Sequence, residues 1–111
     1  MVEILETDHE KKFLLDPSLD FVKNEAPPIH EDFGIDVLSA EMGDWPRFDA
    51  RGAFIHVKSR GDFCSCYPLE IEAGKKTAPI KHLYECFVYV LEGHGSTTIE
   101  LPNGERHSFE W

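Results

Sequence analysis

A mainly β fold with one short helix near its start is what this sequence predicts, and three observations predict it. Apolar and polar residues alternate with period two in several segments after Gly34, the mark of half-buried strands. Clusters of Gly, Pro, Asp and Asn punctuate those segments at turn spacing. The only helical spacing lies before them, at Leu19, Val22 and Ala26.

Taken in order, residues 1–15 carry mixed charge and a short apolar patch, Phe13-Leu14-Leu15, without a period, and are expected to form a loosely held arm. Asp16 can cap a helix, Pro17 suits its first position, and Leu19, Val22 and Ala26 share a face. The helix must stop near Ala26, because Pro27-Pro28 removes two backbone donors and drives the preceding residue to extended geometry. Ile35–Glu41, Ala53–Lys58 and Phe63–Glu72 then read as strands, separated by clusters such as Gly43-Asp44-Trp45-Pro46 and Arg60-Gly61-Asp62. The third places Phe63, Tyr67, Leu69 and Ile71 on one face, and Pro68 assigns it to a sheet edge or a bulge. Phe87–Leu91 is apolar on both faces and rich in β-branched and aromatic residues, the pattern of a central strand. Gly93-His94-Gly95 turns the chain into Ser96–Leu101, and Pro102-Asn103-Gly104 turns it back into Glu105–Trp111, with Asn-Gly the hairpin signal.

Composition narrows the function classes. The chain has 111 residues, 41% of them apolar and 12% aromatic, enough for one domain with a buried core. Acidic residues outnumber basic ones 21 to 11, and the resulting charge of −10 repels phosphate backbones and anionic lipid. Neither nucleic acid nor a membrane is expected as a partner. The longest apolar run, Phe87–Leu91, falls far short of the roughly 20 residues that span a bilayer, and the acidic start MVEILETDHEKK is unlike a signal peptide. A cytoplasmic location follows as the expectation. Three cysteines in no framework spacing agree with it and are expected as thiols. Cys64 and Cys66 fall two apart on one strand face, too close for a relaxed disulfide, and lack the second pair that a zinc-type motif needs.

The segment from Gly74 to Gly95, with Phe87-Val88-Tyr89-Val90-Leu91-Glu92-Gly93-His94-Gly95 as its most specific part, resembles the first sequence motif of the cupin superfamily. That motif reads Gly, five residues, His-x-His, three or four residues, Glu, six residues, Gly. The resemblance covers residues 50–111 and, more loosely, 16–50. It implies an all-β fold, a cupin-type antiparallel β-barrel or jelly-roll half formed by residues 50–111, preceded by an arm, short helix and lead-in strand over residues 1–49. Counting back from Gly93, the family's Glu ligand falls on Cys86, with Glu85 one place early, and its His-x-His on Ile80-Lys81-His82. The resemblance therefore implies a metal site at His82, Glu85 and Cys86, holding one divalent transition metal: Fe, Mn, Ni or Zn. A thiolate among the ligands tilts the preference toward softer ions such as Zn.

Two functions are compatible with that reading. One is a metal-dependent enzyme on a small molecule, an oxygenase, isomerase or lyase acting on an organic acid or aromatic, with Tyr67, Leu69, Tyr89 and Leu91 walling off water. No catalytic residue beyond the ligands is assigned. The other is a metal-free cupin module that binds a small ligand or serves as a dimerisation platform. His56 on its strand, His94 in its turn and Lys75-Lys76 are expected at the surface, with Lys81 a possible contact for an anionic ligand. The end of the sequence on the alternating strand His107, Phe109, Trp111 leads to the expectation of a homo-oligomer or of a C-terminal segment outside this sequence.

Overall fold

The structure, a computed structural model, describes residues 17–58 and 64–111. The expected arm at 1–15, the capping Asp16 and Phe63 lie outside the described residues. Contacts divide the chain into two units, residues 1–81 and 82–111.

In the first unit, helix α1 (Pro17–Val22) forms where the spacing predicts it and buries Leu19 and Val22, but it ends at Val22, short of the expected Ala26, which lies exposed beyond it. The chain then leaves Pro27-Pro28 extended as β1 (Ile29–Asp32). β2 (Gly43–Trp45), β3 (Ala50–Gly52), β4 (Phe54–Val57) and β5 (Leu69–Glu70) follow. β2 and β3 make an antiparallel hairpin in which Trp45 opposes Ala50, with β5 on the other side of β3, so the sheet order is β2-β3-β5. Pro68 leads into β5, an edge strand as expected. β1 pairs with β4 in parallel, Ile29 opposite Phe54 through Asp32 opposite Val57.

Three expectations are corrected here. Ile35–Glu41 is no strand: the Asp36 carboxylate accepts the Leu38 N–H at 3.1 Å and its carbonyl the Ser39 N–H at 3.3 Å, a side-chain turn that overrides the alternation. Gly43-Asp44-Trp45 is strand β2 and not a turn, and the turn begins at Pro46. There Phe48 N–H reaches the Trp45 carbonyl at 3.0 Å, and Asp49 takes a φ of 50°, a left-handed conformation that Asp tolerates. Phe63–Glu72 contracts to β5 and an isolated bridge between Cys66 and Ile55.

The core of this unit lies between α1 and the strands. Leu19, Val22, Trp45, Phe48 and Phe54 are buried together, with Ile29, Ala50, Tyr67 and Leu69 packed around them. Trp45 meets Phe48 edge-on at 4.7 Å, and Phe48 stacks on Tyr67 at 5.3 Å, both favourable ring geometries. Glu25, just past the helix, ties the turn to this core: its Oε2 accepts the Trp45 indole N–H at 3.2 Å and Arg47 Nε–H at 3.0 Å.

In the second unit, β6 (Ser96–Glu100) and β7 (Arg106–Glu110) form the expected antiparallel hairpin. The loop holds three residues. Gly104 N–H donates to the Leu101 carbonyl at 2.9 Å and Gly104 takes a φ of 87°, so Asn103 does not sit at a mirror-image turn position: the pair serves a type I turn closed by a left-handed Gly. Phe87–Leu91, expected as a central strand, pairs with no strand among the described residues and is exposed along its length. The described strands are mainly antiparallel and dominate over helix, and they form three small sheets without closing a barrel.

Candidate functional site

His82, Glu85 and Cys86 all lie in the irregular, exposed run that opens the second unit. The His82 ring stacks on Tyr84 with centroids 4.0 Å apart and planes 7° from parallel. The Cys86 thiol makes a long, weak contact of 3.8 Å to the carbonyl of its neighbour Phe87. Among the described residues, no three His, Cys, Asp or Glu side chains are placed to share a metal ion. Of the expected barrel wall, Tyr67 and Leu69 pack against the core of the first unit, while Tyr89 is 84% exposed and Leu91 51%. His94 is exposed in its turn, and His56 sits half-buried on β4.

The first unit carries two open clefts. One, of about 450 Å³, lies between the β2–β3 hairpin and the chain after β5, and its charged lining mixes Asp44, Asp49, Glu70 and Glu72 with Arg51, Lys75 and Lys76. Arg51 and Glu70 face each other across the β3–β5 register and approach to 3.7 Å, an exposed pair of the kind that contributes about 0–1 kcal/mol. The other, of about 440 Å³, lies along β1 and the Asp36 turn, where His30 Nε2–H donates to the Glu41 carbonyl at 2.8 Å. Lys75-Lys76, expected as a surface turn, come to the same cleft as Arg51 through the pairing of β3 with β5. No local signal contains that pairing.

The sharpest chemical segregation in the molecule is on the β6–β7 hairpin. Directly opposed residues share a face of an antiparallel pair. Thr97 with Phe109 and Ile99 with His107 therefore lie on one side, and the alternation continues it to Trp111 at one end and to Leu101 and Glu105 at the other, where the Glu105 carboxylate stands 3.6 Å from His107 Nε2. The Trp111 indole N–H donates to Thr97 Oγ1 at 3.0 Å along that side. Ser96 with Glu110, Thr98 with Ser108 and Glu100 with Arg106 occupy the other, joined by a 2.8 Å hydroxyl pair and a 3.2 Å ion pair. The apolar side is open: Phe109 is 55% exposed, Ile99 47%, Trp111 41% and Leu101 38%. The alternation of His107, Phe109 and Trp111 with Ser108 and Glu110 marks the faces of β7 and leads to an uncovered apolar side; the register adds Thr97, Ile99 and Leu101 to it.

Compared with family models, curated proteins and solved structures, the chain matches none. No helix among the described residues is long and apolar enough to cross a membrane.

Proposed function

We propose that this chain is a β-rich association module, the metal-free form of the cupin-type reading, whose β6–β7 hairpin lays its apolar face against the same face of a second copy. One observation carries the reading: Thr97, Ile99, Leu101, Phe109 and Trp111 share a face whose one carboxylate, Glu105, stands at its turn end opposite Leu101 and 3.6 Å from His107, in a chain whose net charge is −10. Away from its turn end, that face is where two acidic copies can meet without opposing like charges. Covering a large apolar side chain completely contributes about 1.5–3 kcal/mol, so the four half-exposed ones on each of two copies supply about 6–12 kcal/mol. Association itself costs about 4–15 kcal/mol, which sets the expected strength at weak to moderate.

Sedimentation velocity at micromolar concentration tests this. The wild-type chain is expected to sediment as a dimer or larger species, and Phe109→Glu to shift it to monomer. A wild-type monomer, or an assembly indifferent to that substitution, overturns the reading. Metal content of protein purified without a His tag separates it from the enzyme reading: near one equivalent of a divalent transition metal, lost on replacing His82, Glu85 or Cys86, favours the metal-dependent small-molecule enzyme instead.

A further inference from the structure

Phe87–Leu91 lies outside the hairpin face, and its first three residues are more exposed than any large apolar residue on that face: Phe87 is 96% exposed, Val88 73% and Tyr89 84%. The segment carries no charge, favours extended backbone and presents apolar side chains to both sides. It belongs to no strand among the described residues. A run of that composition is a template for pairing with another strand. The hairpin ladder starts close by: Gly95 N–H donates to the Trp111 carbonyl at 2.8 Å and Trp111 N–H to the Gly95 carbonyl at 2.9 Å. Only Glu92, Gly93 and His94 separate Leu91 from that pair, a reach of about 14 Å at full extension. Two hairpins that meet face to face therefore bring two copies of Phe87–Leu91 into one small volume, where their encounter is effectively intramolecular.

We infer that Phe87–Leu91 pairs antiparallel with the same segment of a second copy, Tyr89 opposite Tyr89, adding a backbone ladder to the hairpin association proposed above, on which this inference rests. A contact on a two-fold axis is isologous, so each residue that opposes another is opposed by it in turn. With Tyr89 on the axis, Phe87 opposes Leu91 and Val88 opposes Val90, so every apolar residue of the segment meets an apolar one. The flanking carboxylates stay apart: Glu85 falls opposite Gly93 and Glu92 opposite Cys86. A slip of one residue in one direction sets Glu85 opposite Glu92 twice, and in the other it sets Glu92 opposite Phe87 twice. A parallel, in-register pairing stacks Glu85 on Glu85 and Glu92 on Glu92. Like charges directly opposed destabilise a strand pair, which selects the register centred on Tyr89. Two short strands alone are marginal in water, so this ladder follows the meeting of the hairpins and does not replace it.

The test is disulfide cross-linking of the full chain with its exposed native thiols replaced, Cys64→Ser, Cys66→Ser and Cys86→Ser. Under mild oxidation, at a concentration where the wild-type chain sediments as a dimer, Tyr89→Cys is expected to give a disulfide-linked dimer, and Phe109→Glu to abolish it. Phe87→Cys alone and Leu91→Cys alone are expected to give none. Each lies about 13 Å along the strands from its own copy, beyond the roughly 7 Å between Cα atoms that a disulfide spans. Mixed together, those two variants are expected to cross-link. On the wild-type chain, hydrogen exchange at alternate amides of residues 87–91 is expected to slow as the dimer forms. A dimer that Phe109→Glu disperses, but that does not cross-link through residue 89 or cross-links equally through 87, 89 and 91, overturns the strand pairing and leaves the hairpin reading standing. Protection of those amides already in the dilute monomer means that the chain covers the segment itself, and overturns the pairing too. A wild-type monomer at every concentration overturns both.

Discussion

Truncating Phe48 to alanine tests whether the first unit has a filled core. The ring is 1% exposed, lies edge-on to Trp45 at 4.7 Å, stacks on Tyr67 at 5.3 Å and sits under the Arg47 guanidinium at 4.5 Å. A Phe→Ala change in a packed interior costs about 3–5 kcal/mol, through lost transfer energy and the cavity left behind. Two ring contacts disappear with the side chain, each worth about 0.5–1.5 kcal/mol beyond its buried area, so the upper half of that range applies. The whole of a unit spanning residues 1–81 is held by about 4–12 kcal/mol at the usual stability per residue. The variant therefore forfeits a third or more of the total and stands near its unfolding threshold. Urea unfolding followed by Trp45 emission, in a Trp111→Phe background that removes the other tryptophan, measures it. With a slope of about 1 kcal/mol per molar urea, the midpoint is expected to fall by about 3 M or more, or the variant to be unfolded in buffer. A loss below about 1 kcal/mol refutes the reasoning, because a ring that costs so little to remove is not packed in a core.

Other perturbations follow from the same contacts. Gly52→Ala is expected to lower the thermal midpoint more than Gly43→Ala: a Cβ at 52 would meet the Pro68 carbonyl oxygen and Leu69 Cδ2 at 2.8 Å and Trp45 Cε3 at 2.9 Å, whereas at 43 its nearest neighbour is the Pro28 ring at 3.0 Å. Overpacking of the first kind costs about 1–3 kcal/mol. Glu25→Ala strips the buried Trp45 indole N–H of its acceptor and is expected to cost about 1–3 kcal/mol in urea unfolding, with Glu25→Gln costing less because an acceptor remains. At mildly alkaline pH, Cys66 is expected to alkylate more slowly in the folded chain than in denaturant, since partial burial and, beyond it, the neighbouring Cys64 push its thiol up; equal rates in the two states overturn this.

The elements legible in the sequence are those whose evidence is local. α1 needs only Pro17 at its start and Leu19 and Val22 three residues apart; β4 needs only the run Phe54–Val57; the β6–β7 hairpin needs alternation on both sides of Pro102-Asn103-Gly104. What escaped is nonlocal or carried by one residue. β1 is Ile-His-Glu-Asp, polar enough to pass as loop, and is a strand because β4 lies parallel to it some 25 positions later in the chain. β2 hides in a turn-like Gly-Asp-Trp-Pro cluster, where Trp45 alone anchors it by going into the core. Ile35–Glu41 errs in the other direction: its alternation is genuine, and the Asp36 side chain spends it on a turn. The site residues follow the same logic. A motif such as that around His82, Glu85 and Cys86 specifies residue types and spacing, while convergence on an ion needs opposing strands to aim them, and among the described residues no strand lies opposite Phe87–Leu91.

That segment and the hairpin show where propensity stops and pairing begins. Phe87–Leu91 has the strongest β composition in the chain, yet backbone donors and acceptors form a ladder only when another strand presents its own at matching spacing. The hairpin solves that problem for itself, through a turn that sets its register. Register also decides which side chains a partner meets. With Gly104 closing the loop, Ile99 and Phe109 fall on the face opposite Glu100, Arg106 and Glu110. A slip of one residue in one strand would carry that strand's charged set across to the apolar side. The Pro102–Gly104 turn is therefore as much a determinant of the proposed association face as the residues on it, because it is what keeps Ile99, Leu101, Phe109 and Trp111 together, with Glu105 and His107 confined to the turn end, on an otherwise acidic chain.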